Sequence, residues 1–177
     1  QLVRGTKPAA YNLTIASARN AAFIPTGSVR SNQLGQNLIT SDSERFNASS
    51  WTKTNSTVSA DSMRAPDGTM TADTLTGDAT AGHHRAYHTV SDITTTGSIT
   101  YSVSVKAGTL SWVILELNDA GTSYVWFNVS TGVVGTENVS NSVSTITPQG
   151  DGWYRVSVTR PNSYGASANL SIGQANA

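Results

Sequence analysis

Between Ile99 and Lys106 apolar and polar side chains alternate without a break. Ile99, Tyr101, Val103 and Val105 fall on one side, with Thr100, Ser102, Ser104 and Lys106 on the other. A period of two is the repeat of a pleated strand with one covered face, and no helix satisfies it. The repeat returns in Val113, Leu115 and Leu117, in Val125, Phe127 and Val129, and in Tyr154, Val156 and Val158, the last set closed by Arg160-Pro161. Weaker stretches surround Val58, Met70 to Leu75, Tyr87 to Ile93, Val143 to Ile146, and Leu170 with Ile172. From Asn37 onward no dozen residues keep an apolar stripe at intervals of three and four. Turn formers separate the stretches: Pro66-Asp67-Gly68, Thr96-Gly97, Ala107-Gly108, Asp119-Ala120-Gly121, Thr131-Gly132 and Gly150-Asp151-Gly152. About eight or nine short strands spaced roughly ten residues apart predict an all-β chain, an antiparallel β-sandwich of the jelly-roll kind.

The 177 residues suit one domain with an appendage. Only 12% are charged, whereas 24 Ser and 24 Thr supply the polarity that keeps such a surface wet. The absence of cysteine excludes a disulfide framework, a thiolate metal site and a cysteine nucleophile. Apolar runs such as Ala21 to Ile24 and Trp112 to Leu115 are far shorter than the roughly 18 residues of a membrane span, so none is expected. A net charge of zero removes bulk attraction to nucleic acid. No signal peptide is read, and a start at Gln1 rather than Met suggests a processed, trimmed or partial product.

The zero net charge hides an asymmetry. Residues 1–36 hold four cations (Arg4, Lys7, Arg19, Arg30) and no acid, and from Asn37 on there are seven cations against eleven acids. Pro8, Pro25 and several glycines punctuate the leading segment, and Tyr11, Phe23 and Ile24 are apolar anchors that a purely solvated tail would not need. The division expected is an extended basic arm over 1–36 and a jelly-roll domain over 37–177. Arg4, Lys7, Tyr11, Arg19, Phe23, Ile24 and Arg30 are then candidates for attachment to another protein.

Several segments also carry a resemblance. Asn37-Leu38-Ile39-Thr40-Ser41, Phe46, Trp51-Thr52-Lys53, Ala65-Pro66-Asp67-Gly68-Thr69 and Thr71-Ala72-Asp73-Thr74-Leu75 come first. Tyr101 to Gly108, Phe127 to Gly132 and Gly150-Asp151-Gly152-Trp153-Tyr154-Arg155 follow. In this order, over about 37–160, the chain resembles a carbohydrate-binding-module-like domain of tailed-phage virion proteins, such as head spikes, head fibres and tail-associated proteins. The resemblance implies a jelly roll displayed on a virion and in contact with surface polysaccharide, and by analogy with phage fibres a homo-oligomer. The arm has no counterpart in these motifs.

The residues supply a site of their own. If the turn at Asp119 to Gly121 pairs Leu117 with Ser123, then Leu115 meets Val125 and Val113 meets Phe127 on the core side. The opposite side carries Trp112, Ile114 and Glu116 beside Asn128, Trp126 and Tyr124. Aromatic rings stack on the C–H faces of a pyranose, while Glu and Asn hydrogen-bond its hydroxyls, so Trp112, Glu116, Tyr124, Trp126 and Asn128 are glycan-binding candidates. The competing reading is that these rings pack against the arm or a neighbouring subunit.

Trp51 reads as a core anchor beside the first strand, and Gly150-Asp151-Gly152 as a tight turn with Asp151 capping it. His84 and His88 would stand roughly 13 Å apart on one strand face, too far for one tetrahedral zinc, so the histidines read as rim residues. No cofactor is expected. A structural calcium would draw on Asp42, Glu44, Asp67, Asp73 and Asp151, which form no loop signature. There is no nucleophile elbow, no His-Glu-x-x-His, no phosphate-cradling glycine loop and no evident carboxylate pair, so no enzyme is expected. The expectation is a non-enzymatic structural protein of the phage particle surface (head decoration, spike or fibre subunit) whose partners are other virion proteins. The alternative is an adsorption module that recognises host surface polysaccharide.

Overall fold

The computed structural model describes residues 14–15, 37–39, 42–91, 93, 98–118, 122–138, 142–160 and 167–174. Twelve strands and no helix occur among them: β1 (Thr14–Ile15), β2 (Trp51–Thr54), β3 (Ser56–Met63), β4 (Ala72–Gly77), β5 (His84–Ser91), β6 (Ile99–Lys106), β7 (Trp112–Asn118), β8 (Thr122–Asn128), β9 (Val133–Asn138), β10 (Val143–Gly150), β11 (Trp153–Arg160) and β12 (Ser167–Gln174). It follows that no helix there is long and apolar enough to cross a membrane.

Every pairing is antiparallel. One sheet has the order β1-β6-β11-β10, a second has β2-β5-β12-β7-β8-β9, and β3 and β4 form a two-stranded ribbon beside them. The chain passes between the two larger sheets at β1–β2, β5–β6, β6–β7, β9–β10 and β11–β12, so the antiparallel β-sandwich expected from the alternation is the fold. Inward residues from both sheets meet in one core. Tyr101, Val103, Val105, Val156 and Val158 come from the smaller sheet, and Ala86, Leu115, Leu117, Val125, Phe127, Leu170 and Ile172 from the larger. These are the residues at which the period-two pattern is strongest, because burying one face of each sheet is what the alternation achieves.

The core is closed at one end by Trp51. Its ring centroid lies 4.3 Å from Phe46 and 5.2 Å, edge-on, from His88, and its indole N–H donates to the Asp42 carbonyl at 2.9 Å. Beside it Asp73 is buried, one oxygen accepting from the Phe46 amide and the other from the Asp61 amide, each at 3.0 Å. Burial pushes the Asp73 carboxyl above its ordinary range, against the pull of those amides.

Several details depart from the sequence reading. Twelve strands replace eight or nine: β1, β2 and β9 are the additional ones, each short or with little apolar repeat of its own. Met70 stands outside β4 and is exposed. Ser102 and Ser104, expected to face water, are buried. They receive hydrogen bonds from the two terminal nitrogens of Arg155, at 2.7 and 3.2 Å, and burial lowers the Arg155 guanidinium to about 10. The outer face of the smaller sheet is therefore covered at these positions, which half-buried alternation cannot reveal. The leading segment also touches this sheet: Thr14 and Ile15 pair with Ser104 and Val103, adding a short edge strand to β6.

Candidate functional site

The β7–β8 hairpin has the register read from its turn: Leu117 opposite Ser123, Leu115 opposite Val125, Val113 opposite Phe127. Trp112, Ile114, Glu116, Tyr124, Trp126 and Asn128 consequently share the outer face of the larger sheet. Strand β12 lies alongside β7, and β5 alongside β12, so Arg85 and Tyr87 of β5 reach the same face across Gly173 and Ser171.

Glu116 is 3% exposed, and its Oε2 accepts from the Arg85 guanidinium at 2.7 Å, one strand away over Ser171 and Gly173. A buried carboxylate demands such a partner, and the planar guanidinium meets it while lying 5.6 Å from the centre of the Tyr87 ring. His83 stands exposed at the rim, its Nδ1 3.9 Å from Glu116 Oε1. Gly173 is why Arg85 can cross. A β-carbon there would stand 2.8 Å from the His84 carbonyl oxygen, 3.1 Å from Ile114 Cγ2 and 3.2 Å from Arg85 Cβ. A depression of about 250 Å³ opens beside the Arg85–Glu116 pair. Arg85, Glu116, Trp126, His84, Gln174 and Ile114 are among its walls.

Trp112, the outermost ring, is 38% exposed and lies across β8 onto Gly135 of β9, where a β-carbon would come within 2.5 Å of its Cζ3. Tyr124 and Trp126 are half-buried on β8. Asn128 behaves differently from the reading given to it. Its side-chain oxygen accepts from the Ser130 and Thr131 amides at 3.0 and 3.1 Å, so it holds the β8–β9 turn together with the Gly132 amide bond to the Asn128 carbonyl. Glu116 and Trp126 thus meet in the depression, Trp112 and Tyr124 flank it, and Asn128 sits at the turn. Arg4, Lys7, Tyr11, Arg19, Phe23, Ile24 and Arg30 lie outside the described residues.

The histidines correct an expectation. His84 is 4% exposed rather than on the rim, with Nδ1 2.8 Å from the Asn55 carbonyl oxygen, and His88 is half-buried against Trp51. Arg85, Gln174 and Gly173 were not singled out from sequence, and His84 only as a rim residue. Their role depends on β12 lying between β5 and β7, a pairing of segments about eighty residues apart that no local pattern announces. The one signal was Gly173 beside the alternating Leu170 and Ile172, since an interior strand glycine marks a close approach.

Two of the carboxylates weighed for calcium, Asp42 and Asp67, are engaged locally. Asp42 accepts from the Ser50 hydroxyl at 2.6 Å and pairs with Arg45, which together hold its carboxyl below the usual range. Asp67 accepts from the Thr69 amide and hydroxyl at 2.9 and 2.6 Å. No three metal-binding side chains gather among the described residues. No family model matches the chain, and no curated protein matches it.

Proposed function

We propose that the chain is a non-enzymatic surface protein of a phage or phage-like particle, a head decoration, spike or fibre subunit, that carries a carbohydrate-binding domain. The observation behind this reading is the Arg85–Glu116 pair set beside Trp126 in a depression on an otherwise continuous sheet face. A flat apolar ring next to fixed hydrogen-bonding groups is what a sugar requires, because each pyranose offers one C–H face and a rim of hydroxyls. The ordered segments over 37–160 that resemble phage virion domains supply the particle context, and the basic leading segment supplies a means of attachment to capsid or tail subunits.

A second reading, in which the domain is an adsorption module for host surface polysaccharide, draws support from Trp112, whose exposed ring extends the aromatic surface beyond the depression. The test is a glycan array probed with the full chain and with Trp126→Ala. Binding by the parent that falls about tenfold or more in the variant supports carbohydrate recognition, since stacking of one ring contributes roughly 1–2 kcal/mol. Equal signals from the two proteins on every glycan would overturn it.

A further inference from the structure

The outer face of the larger sheet holds its indole rings in two places, one at the depression and one outside it. We infer, resting on the carbohydrate reading above, that the ligand is a run of linked sugar units laid across the strands. One unit is recognised in the depression, and those that follow are held by stacking on Trp112.

The register sets the line of such a chain. Arg85 pairs with Gly173, Gly173 with Ile114 and Ile114 with Trp126, so these residues form one row across β5, β12, β7 and β8. Gly135 of β9 continues the row, because the Trp126 carbonyl oxygen lies 3.3 Å from where a β-carbon would stand on it. Trp112 starts one step away, opposite Asn128, but its ring returns to the row at Gly135, with Cζ3 and Cη2 2.5 and 3.0 Å from that same point. Trp126 therefore walls the depression, and the Trp112 ring lies beyond it toward the β9 edge. Neighbouring strands stand about 4.8 Å apart, so the ring over β9 is roughly 14 Å from the Arg85–Glu116 pair that bridges β12. A single pyranose cannot touch both, whereas a short run of linked units does.

The two ends differ in chemistry. Arg85, Glu116 and Gln174 line the depression and can hydrogen-bond hydroxyls. At about 250 Å³ it is smaller than the roughly 300–1,000 Å³ of drug-sized ligand sites, so it seats one ring of the chain. Beside Trp112 the face continues through Asn128 to Val133. Asn128 spends its side-chain oxygen on the Ser130 and Thr131 amides, and Val133 is 52% exposed. Two apolar side chains thus stand open to solvent at this end, a surface suited to the C–H faces of sugars. Stacking accepts any pyranose with an apolar face, while hydrogen bonds discriminate the positions of hydroxyls. The depression decides which sugar is bound, and Trp112 how tightly a longer chain is held.

The experiment titrates the full chain by calorimetry with gluco-, manno- and galacto-oligosaccharides of one to six units. Variants Trp112→Ala, Gly135→Ala and Trp126→Ala are run beside it, each checked by circular dichroism. In at least one series the affinity of the parent should climb about tenfold or more from one unit to about four and then level off. Trp112→Ala should remove that climb. Gly135→Ala, which keeps the ring but displaces it, should reduce the climb, and it carries the test if Trp112→Ala does not fold. Trp126→Ala should weaken binding at every length. A single sugar bound as tightly as six units, or a climb that these Trp112 and Gly135 variants retain in full, would overturn the extended ligand and leave carbohydrate recognition standing. No binding at any length would overturn both.

Discussion

Gly135 and Trp112 show how one missing side chain sets the position of another. The indole lies where a β-carbon at residue 135 would stand, and the backbone oxygen of Trp126, 3.3 Å from that point, blocks a sideways escape. Gly135→Ala therefore has to push the ring outward rather than move the strand. We expect its emission to shift to the red and its quenching by acrylamide to rise, with a melting temperature within a few degrees of the parent. An unchanged spectrum would show that the ring is not seated there.

His88 sets a pH dependence at the same scale. Burial lowers its pKa below the ordinary value, and the nearby Asp42 charge only partly opposes this. The folded protein then binds the proton less readily than the unfolded chain. The stability contributed by the neutral ring is complete above about pH 6.5, the unfolded value, and is lost as pH falls through the region below it. In urea titrations at pH 7.5, 6.5 and 5.5 the parent should lose more stability toward acid than His88→Phe does. Parallel loss in both would assign the acid sensitivity to other groups.

At the scale of elements the turns decide register. The β10–β11 hairpin closes through Gly150, Asp151 and Gly152, all at positive φ (+88°, +50° and +78°), a run that only glycine and small polar residues adopt cheaply. Gly152→Ala, whose β-carbon would also meet the Lys106 side chain at 3.4 Å, should cost roughly 1–2 kcal/mol and lower the melting temperature by a few degrees. A melt unchanged by the substitution would mean that the turn relaxes without strain.

The same logic explains what could be read in advance. Where two strands are joined by a short turn, as β7 and β8 are, alternation and loop length together determine which residues face each other. The outer-face positions of Trp112, Glu116, Tyr124 and Trp126 were therefore legible. Asn128 was placed on the correct face, yet the backbone amides of its own turn compete for its side chain, a local effect that periodicity ignores. The Arg85–Glu116 pair was beyond reach because it spans three strands drawn from distant parts of the chain. Ser102 and Ser104 show the converse case. Polar residues in a clean alternation look solvated, whereas here Arg155, brought in on the neighbouring strand, donates to both hydroxyls where they are buried.

For the whole molecule, the proposal separates attachment from recognition. If the basic segment over 1–36 docks onto particle subunits, a chain covering 37–177 should still fold, because the core described above is drawn from residues beyond 37 and β1 is a two-residue edge strand among the described residues. It should give a β-type circular dichroism spectrum and one cooperative melt, and keep any glycan binding, while no longer co-sedimenting with particles. Normal occupancy of the truncated chain would overturn the attachment role.

Strand β12 is last of the twelve in sequence, yet it stands in the middle of the larger sheet, bonded to β5 on one side and β7 on the other. While the polypeptide is still emerging from the ribosome, β2 with β5 and β7 with β8 and β9 are two separate halves, each showing an open rim and part of an apolar surface. The halves join only when β12 arrives. Until then those rims can recruit the wrong neighbour, so synthesis passes through an interval of aggregation risk that closes when β12 pairs with both.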